Sequence, residues 1–170
     1  MNHSINSVQR LVMAALFAAL TCIATLIIRI PSPFQGYLNL GDCVVLLSGW
    51  VCSPISAFLA AAVGSALADL ISGYALYAPA TFLIKGVLAL VACFGFRFLS
   101  RRFGETVSEI LSGLLAEFWM VFGYLLFETV LFGLIPSSVN ILPNALQGAV
   151  GLGLAFLLIR VLRIAKSSGS

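Results

Sequence analysis

Long runs of apolar residues alternate with short polar segments along the whole chain. An α-helix needs roughly 20 predominantly apolar residues to cross a bilayer, and six runs approach that length once their flanks are counted. They cover residues 11–28, 43–53, 55–71, 80–98, 107–127 and 143–162. The pattern predicts an all-α integral membrane protein in which six transmembrane helices form a single bundle and a single domain, residues 1–170.

Composition agrees with this class and narrows the functions to consider. Of the 170 residues, 61% are hydrophobic and 9% are charged, whereas a soluble domain is about 45–50% apolar and about 25% charged. A net charge of +3 is too small to suggest nucleic acid. The four cysteines are scattered, and the one histidine, His3, lies in a polar tail. We therefore predict no cofactor and no metal site.

The basic residues predict the orientation of the bundle. Cytoplasmic loops carry an excess of Lys and Arg. With six spans and both termini in the cytoplasm, seven basic residues lie on the cytoplasmic side: Arg10, Arg97, Arg101, Arg102, Arg160, Arg163 and Lys166. Arg29 then lies outside and Lys85 lies within a span. The expected location is the cell membrane.

Two segments are predicted to be loops between spans. In residues 29–42, Pro31, Pro33 and Gly36 prevent a long helix. Asn39 and Asp42 close this loop, and one interpretation is that they cap the following helix. The segment 129–142 contains PSSVN and is also predicted to be a loop.

Polar residues converge on the predicted outer half of the bundle. Asp69 and Lys85 flank a turn between two spans, and Lys85 lies roughly 9 Å inside its span. Polar groups within spans are functional-site candidates by default. The candidate substrate-binding residues are Tyr37, Asn39, Asp42, Asp69, Tyr74, Tyr77, Lys85, Glu117, Tyr124, Asn144 and Gln147. The tyrosine rings and polar groups suit a small, hydroxylated, heteroaromatic ligand. In the alternative, these groups form a structural network in which Asp69 pairs with Lys85.

The first span carries small residues at helical spacing, namely Ala14, Ala15, Ala18 and Ala19. Small-xxx-small pairs allow another helix to approach closely. Two interpretations are open: packing within this protein, or docking of a partner subunit. A second stripe, at Ala57, Ala61 and Ser65 with Ala60, Gly64 and Ala68 beside it, predicts a tight helix–helix contact.

Four segments carry a resemblance to a known family. They are YLNLGD at 37–42, GSALADLISGYALYAPATFLIKG at 64–86, EFWMVFGYLLFE at 117–128 and PNALQG at 143–148. Together with the alanine-rich first span, they resemble the substrate-binding (S) components of energy-coupling factor (ECF) transporters for vitamins in bacteria and archaea, in the riboflavin-type sequence group. The motifs look more like members linked to pyridoxine-type vitamins or to the hydroxymethylpyrimidine precursor of thiamin.

The resemblance implies a six-helix protein that captures a vitamin from outside and associates with a transmembrane coupling subunit and two cytoplasmic ATPases. It implies that the small residues of the first helix contact the coupling subunit, that residues 29–42 act as a lid, and that the protein topples in the membrane to deliver its ligand.

Two other classes of function stay open. One is a membrane-embedded enzyme in which Glu117, Asp69 or Lys85 acts as acid or base. Against it stand the missing histidine and the missing nucleophile–base pair, so we predict that the protein is not an enzyme. The other is an assembly factor with a purely internal polar network. Saturable binding without chemical change would separate the first class from a binding protein.

Overall fold

The chain folds into a bundle of helices, as described by a computed structural model for residues 7–32 and 36–168. His3 and Pro33 lie outside the described residues. The helices are α1 (Ser7–Ile27), α2 (Gly41–Val51), α3 (Pro54–Ile71), α4 (Ala78–Leu99), α5 (Glu105–Phe132), α6 (Leu134–Ser138) and α7 (Ile141–Ser168). Two short strands, β1 (Arg29–Pro31) and β2 (Tyr37–Asn39), connect α1 to α2.

The helices have the length and composition of membrane spans. Within the described residues, α1, α3, α4, α5 and the stretch containing α7 are each long and apolar enough to cross a bilayer. The remaining long element, α2, is an apolar helix of 11 residues. The predicted class, an all-α membrane protein, is confirmed, and one short pair of strands is added to it.

Two strands, Arg29–Pro31 and Tyr37–Asn39, form within the predicted loop 29–42. Its strands pair antiparallel, with Arg29 opposite Asn39 and Pro31 opposite Tyr37. Pro31 has no backbone N–H to donate, and the ends of a two-stranded ribbon tolerate such a residue. Gly36 has a φ of 86°, in the region that favours glycine.

The predicted loop over residues 129–142 is wrong, because helix occupies most of it. Helix α5 continues to Phe132, Gly133 breaks it with a φ of 85°, and α6 follows at once. Pro136 lies in the first turn of α6, where a missing N–H costs little. The Ser137 hydroxyl donates to the carbonyl of Gly133 at 2.7 Å, so a serine that indicated a loop instead supports the short helix.

Small residues let α1, α3 and α4 pack closely, as the second stripe predicted. Ala57, Ala61 and Ala68 of α3 are fully buried. A Cβ atom added at Gly64 would lie 2.4 Å from the Ala18 carbonyl oxygen and 2.8 Å from Thr21 Cβ. The glycine therefore sets the separation of α3 from α1.

The bundle has two chemically different ends. The hairpin, the start of α2 and the turn between α3 and α4 form one end, which carries most of the candidate site residues. The start of α1, the end of α4 and the last turns of α7 form the other end. That end carries Arg10, Arg97, Arg101, Arg102, Arg160 and Arg163.

We expect Gly64→Ala to lower the free energy of unfolding by about 1–3 kcal/mol, because the added methyl group meets backbone that cannot yield easily. The control is Gly153→Ala in α7, where an added Cβ meets nothing within 4 Å. That change should be neutral or stabilise by up to about 1 kcal/mol. Denaturation in mixed micelles measures both, and equal effects would contradict the close α1–α3 contact.

Candidate functional site

A small cavity lies under the hairpin, where α3, α4, α5 and α7 meet. Its volume is about 40 Å³. The residues around it are almost all polar or aromatic. They are Ser32, Gly36, Tyr37, Asn39, Asp69, Tyr74, Tyr77, Thr81, Tyr124, Glu128, Asn144 and Gln147. Its two carboxylates, its amides and its tyrosines suit this region to hold a polar small molecule.

Aromatic rings form one wall of the cavity. The centroids of the Tyr37 and Tyr74 rings are 4.9 Å apart, and those of Tyr74 and Tyr77 are 6.2 Å apart in an edge-to-face arrangement. Phe127 packs edge-on against Tyr77 from behind, at 5.3 Å. The wall therefore offers apolar ring faces, with hydroxyl groups at its edges.

Asp69 contributes a carboxylate to this cavity. The Tyr37 hydroxyl donates to Asp69 Oδ1 at 2.7 Å. Burial of Tyr37, together with the nearby Asp69 carboxylate, raises the pKa of that phenol well above its usual range, so it stays a donor at neutral pH. The second oxygen, Oδ2, is buried and has no partner with hydrogen-bond geometry among the described residues, with the Thr81 hydroxyl as its polar neighbour. Asp69 therefore keeps acceptor capacity for a ligand.

Glu128 contributes the second carboxylate of the cavity and accepts hydrogen bonds from two residues at its rim. Asn140 Nδ2 lies 3.0 Å from both Glu128 oxygens, and the Tyr77 hydroxyl donates to Oε1 at 3.3 Å. The Ser32 hydroxyl donates in turn to Asn140 Oδ1. Ser32, directly after β1, is thus linked to α5 through the side chain of Asn140.

A network of charged and amide groups forms the layer beneath the cavity. Lys85 on α4 pairs with Oδ1 of Asp42 on α2. Gln147 on α7 donates to Asp42 Oδ2 at 2.6 Å, and its own oxygen accepts the backbone amide of Asn39 at 2.9 Å. The Lys85 ammonium also lies 5.6 Å from the centre of the Tyr124 ring, within cation–π distance.

Glu117 is buried in the middle of α5, eleven residues before Glu128. It packs against Gly148 on α7, where an added Cβ would lie 2.9 Å from Oε2. Neither carboxylate oxygen has a hydrogen-bond partner among the described residues. Glu117 does not line the cavity.

Most of the residues selected from the sequence come together in the structure. Eight of them line the cavity: Tyr37, Asn39, Asp69, Tyr74, Tyr77, Tyr124, Asn144 and Gln147. Asp42, Lys85 and Glu117 do not, because the packing of α2 and α7 places them below it. The alternative pairing of Asp69 with Lys85 is wrong, because Lys85 pairs with Asp42. Asn39 does support the start of α2, since its Oδ1 accepts the Gly41 amide at 2.8 Å.

Four cavity residues were missed, namely Ser32, Gly36, Thr81 and Glu128. Helical spacing contained the signal for two of them. Thr81 lies four residues from both Tyr77 and Lys85, and its hydroxyl lies 3.0 Å from that of Tyr124. Glu128 lies four residues after Tyr124 on the same face of α5. Ser32 follows β1 and Gly36 precedes β2. Both lie outside the helices, so helical spacing predicts no common face for them.

The fold and this cavity define a helical membrane protein with a small-molecule site at one end. The sequence model of the ECF-type riboflavin transporter S component family matches residues 5–164. The chain belongs to this family and is an S component of an ECF transporter.

Two known proteins are similar to this chain. An uncharacterized protein in the gap 3'region of Pyrococcus woesei is 33% identical over 141 residues, which cover 80% of this chain and 92% of that protein. A solved S component of a bacterial ECF transporter superimposes with a TM-score of 0.76 at 24% identity, covering 93% of this chain and 97% of the other. The likeness to the solved structure concerns the fold.

We expect Lys85→Met to lower the free energy of unfolding by about 3–5 kcal/mol, because it leaves the buried Asp42 charge unpaired. Adding Asp42→Asn should recover most of that loss, since the amide is neutral and can still accept the Gln147 hydrogen bond. Denaturation of the two single variants and the double variant in mixed micelles gives the coupling free energy. Additive losses would show that the pair is not a unit.

Proposed function

We propose that this protein captures a small heteroaromatic vitamin or vitamin precursor, such as a pyridoxine-type compound or hydroxymethylpyrimidine, from outside the cell. The observation that carries the proposal is the cavity that joins four tyrosines to two carboxylates under a hairpin. The end of the bundle that carries the cavity is opposite the arginine-rich end, which the positive-inside rule assigns to the cytoplasm. The cavity would then face outward.

The lining matches the chemistry of a hydroxylated ring. Tyr37 and Tyr74 offer ring faces for stacking. The free oxygen of Asp69 can accept a hydrogen bond from a ligand hydroxyl or a ring N–H. Asn144 offers both a donor and an acceptor for the heteroatoms of such a ring.

Entry of a ring requires the hairpin to move. The cavity volume of about 40 Å³ has room for a few water molecules, since one water needs about 10–15 Å³ on the same measure. The hairpin is held by side-chain contacts to Asp69, Asn140 and Gln147, and these can break one at a time. We infer that residues 29–42 act as a lid that closes over the ligand.

Riboflavin is the second candidate ligand. The description of the matched family favours it. Its three-ring system is larger than a pyridine or pyrimidine and needs a wider opening of the hairpin. Its ring edges would meet the same carboxylates and amides.

The geometry gives less support to an enzyme. Lys85 is occupied by Asp42, and neither Lys85 nor Glu117 reaches the cavity. A purely structural network accounts for Asp42, Lys85 and Gln147, but it leaves the unpaired oxygen of Asp69 unexplained.

A thermal-shift panel of pyridoxine, hydroxymethylpyrimidine and riboflavin tests the ligand. A compound at about 100 times its dissociation constant adds roughly 2.7 kcal/mol of stability. We expect Asp69→Asn to weaken binding of the active compound at least about tenfold, because a charge-assisted hydrogen bond is lost. Glu105→Gln at the opposite end is the control and should bind normally. A panel in which no compound stabilises the protein would refute the proposal.

We further propose that the protein delivers its ligand through a coupling subunit and two cytoplasmic ATPases, docking through α1. The two alanine pairs have different environments. Ala14 is buried and Ala18 is partly buried against α3, whereas Ala15 and Ala19 are exposed. Only the pair Ala15–Ala19 is therefore free to let a partner helix approach closely.

We expect Ala15→Trp combined with Ala19→Trp to abolish uptake in cells and to leave ligand affinity unchanged, because bulk on this face keeps a partner helix away. Leu20→Trp is the matched control, since Leu20 is exposed on another side of α1. Uptake assays and binding to purified protein measure the two activities. Equal loss of binding and uptake would refute the proposal that ligand binding and partner docking use different parts of the protein.

A further inference from the structure

A second and larger cavity lies at the arginine-rich end of the bundle. Its volume is about 400 Å³. It lies between the first turns of α1, the end of α2, the start of α3 and the end of α4. Twelve residues of α4 separate Arg97 at this cavity from Lys85 under the other one, a rise of roughly 18 Å. The two cavities are therefore separate sites.

Two guanidinium groups give this cavity its charge. Arg10 and Arg97 both line it, and both side chains are exposed. The ion pairs of the described residues use Lys85 and Arg163, so neither lining arginine has a carboxylate within salt-bridge distance. Among the described residues the Arg97 side chain donates to the Cys52 carbonyl, at 3.2 Å, which leaves most of its donors available.

Two serine hydroxyls at the start of α3, those of Ser53 and Ser56, also line the cavity. They lie 2.8 Å apart, and the Ser56 hydroxyl donates to the Arg10 carbonyl at 3.4 Å, so both are engaged within the protein. The guanidinium groups are therefore the donors on offer, and they match the oxygens of a phosphate in a bidentate geometry. The cavity thus has the donors for a phosphate and no acidic residue in its lining.

The surroundings of the cavity are apolar. Next to the lining residues, Ile55 is 75% exposed and Phe98 is 63% exposed. These side chains belong to membrane-spanning helices close to their ends, at the depth where headgroups meet acyl chains. A ligand here meets a basic pocket on one side and hydrocarbon on the other.

We propose that this cavity binds the phosphodiester headgroup of an anionic phospholipid, with the acyl chains lying along α3 and α4. Basic pockets between spans at the cytoplasmic side are sites for such headgroups. An acidic segment of a partner protein would satisfy the arginines but not the exposed Ile55 and Phe98 beside them. A lipid satisfies both the charged and the apolar surfaces.

The test compares phosphatidylglycerol retained by the full chain and by its variants. The protein is extracted from nanodiscs of phosphatidylglycerol and phosphatidylcholine, and bound lipid is counted by native mass spectrometry. We expect the variant Arg10→Gln with Arg97→Gln to retain phosphatidylglycerol at least about tenfold more weakly, because two charge-assisted contacts are lost. Arg101→Gln with Arg102→Gln removes the same charge outside the cavity and should retain it normally.

The variant Arg10→Lys with Arg97→Lys keeps both charges and serves as a control for a folding defect. It should retain more phosphatidylglycerol than the glutamine variant at equal melting temperature. Equal retention by the glutamine variant and the control would overturn the proposal. So would displacement of the lipid by inorganic phosphate, which would indicate a site for free phosphate. Loss of association with the transporter complex at unchanged lipid retention would instead assign the cavity to a partner protein.

Discussion

The Lys85 ammonium and the Asp42 carboxylate lie inside the helix bundle, where neither charge can be left alone. An isolated ion in such an environment costs several kcal/mol, and a paired ion recovers that cost only when its remaining oxygens and protons are satisfied. Gln147 satisfies the second Asp42 oxygen, and the Tyr124 ring faces the ammonium. Four helices, α2, α4, α5 and α7, must therefore meet in one relative position.

The same network also determines which part of the site can move. Gln147 uses its amide nitrogen for Asp42 and its oxygen for Asn39, so one side chain joins the buried charges to the hairpin. The first contact is deep and charge-assisted, and the second lies at the cavity edge. An opening hairpin can release Asn39 while the ion pair stays intact. The Gln147 amide is thus the point at which the buried ion pair, which stays fixed, meets the hairpin, which moves.

Sequence reasoning reached the fold class and most of the cavity because helical periodicity and depth are local properties. It did not identify the ion-pair partner of Lys85, because several acidic side chains lie at a similar depth in the bundle. Lys85 could have met Asp42, Asp69 or Glu117, and close packing of α7 made the choice. A Cβ at Gly151 would lie 2.8 Å from Asp42 Cβ, so only glycine brings α7 close enough for Gln147 to join that pair. Likewise, Pro136 and its serines suit a short helix and a loop equally well, and no local pattern separates them.

The shortness of α2 limits the thickness of protein between the two cavities. Asn39, two residues before the helix, lines one cavity, and Val51, its last residue, lines the other. Eleven residues rise roughly 16 Å, about half of the hydrocarbon thickness of roughly 30 Å. The two cavities therefore leave about half of the bilayer core as packed protein between them. The Asp42–Lys85 ion pair lies within that layer.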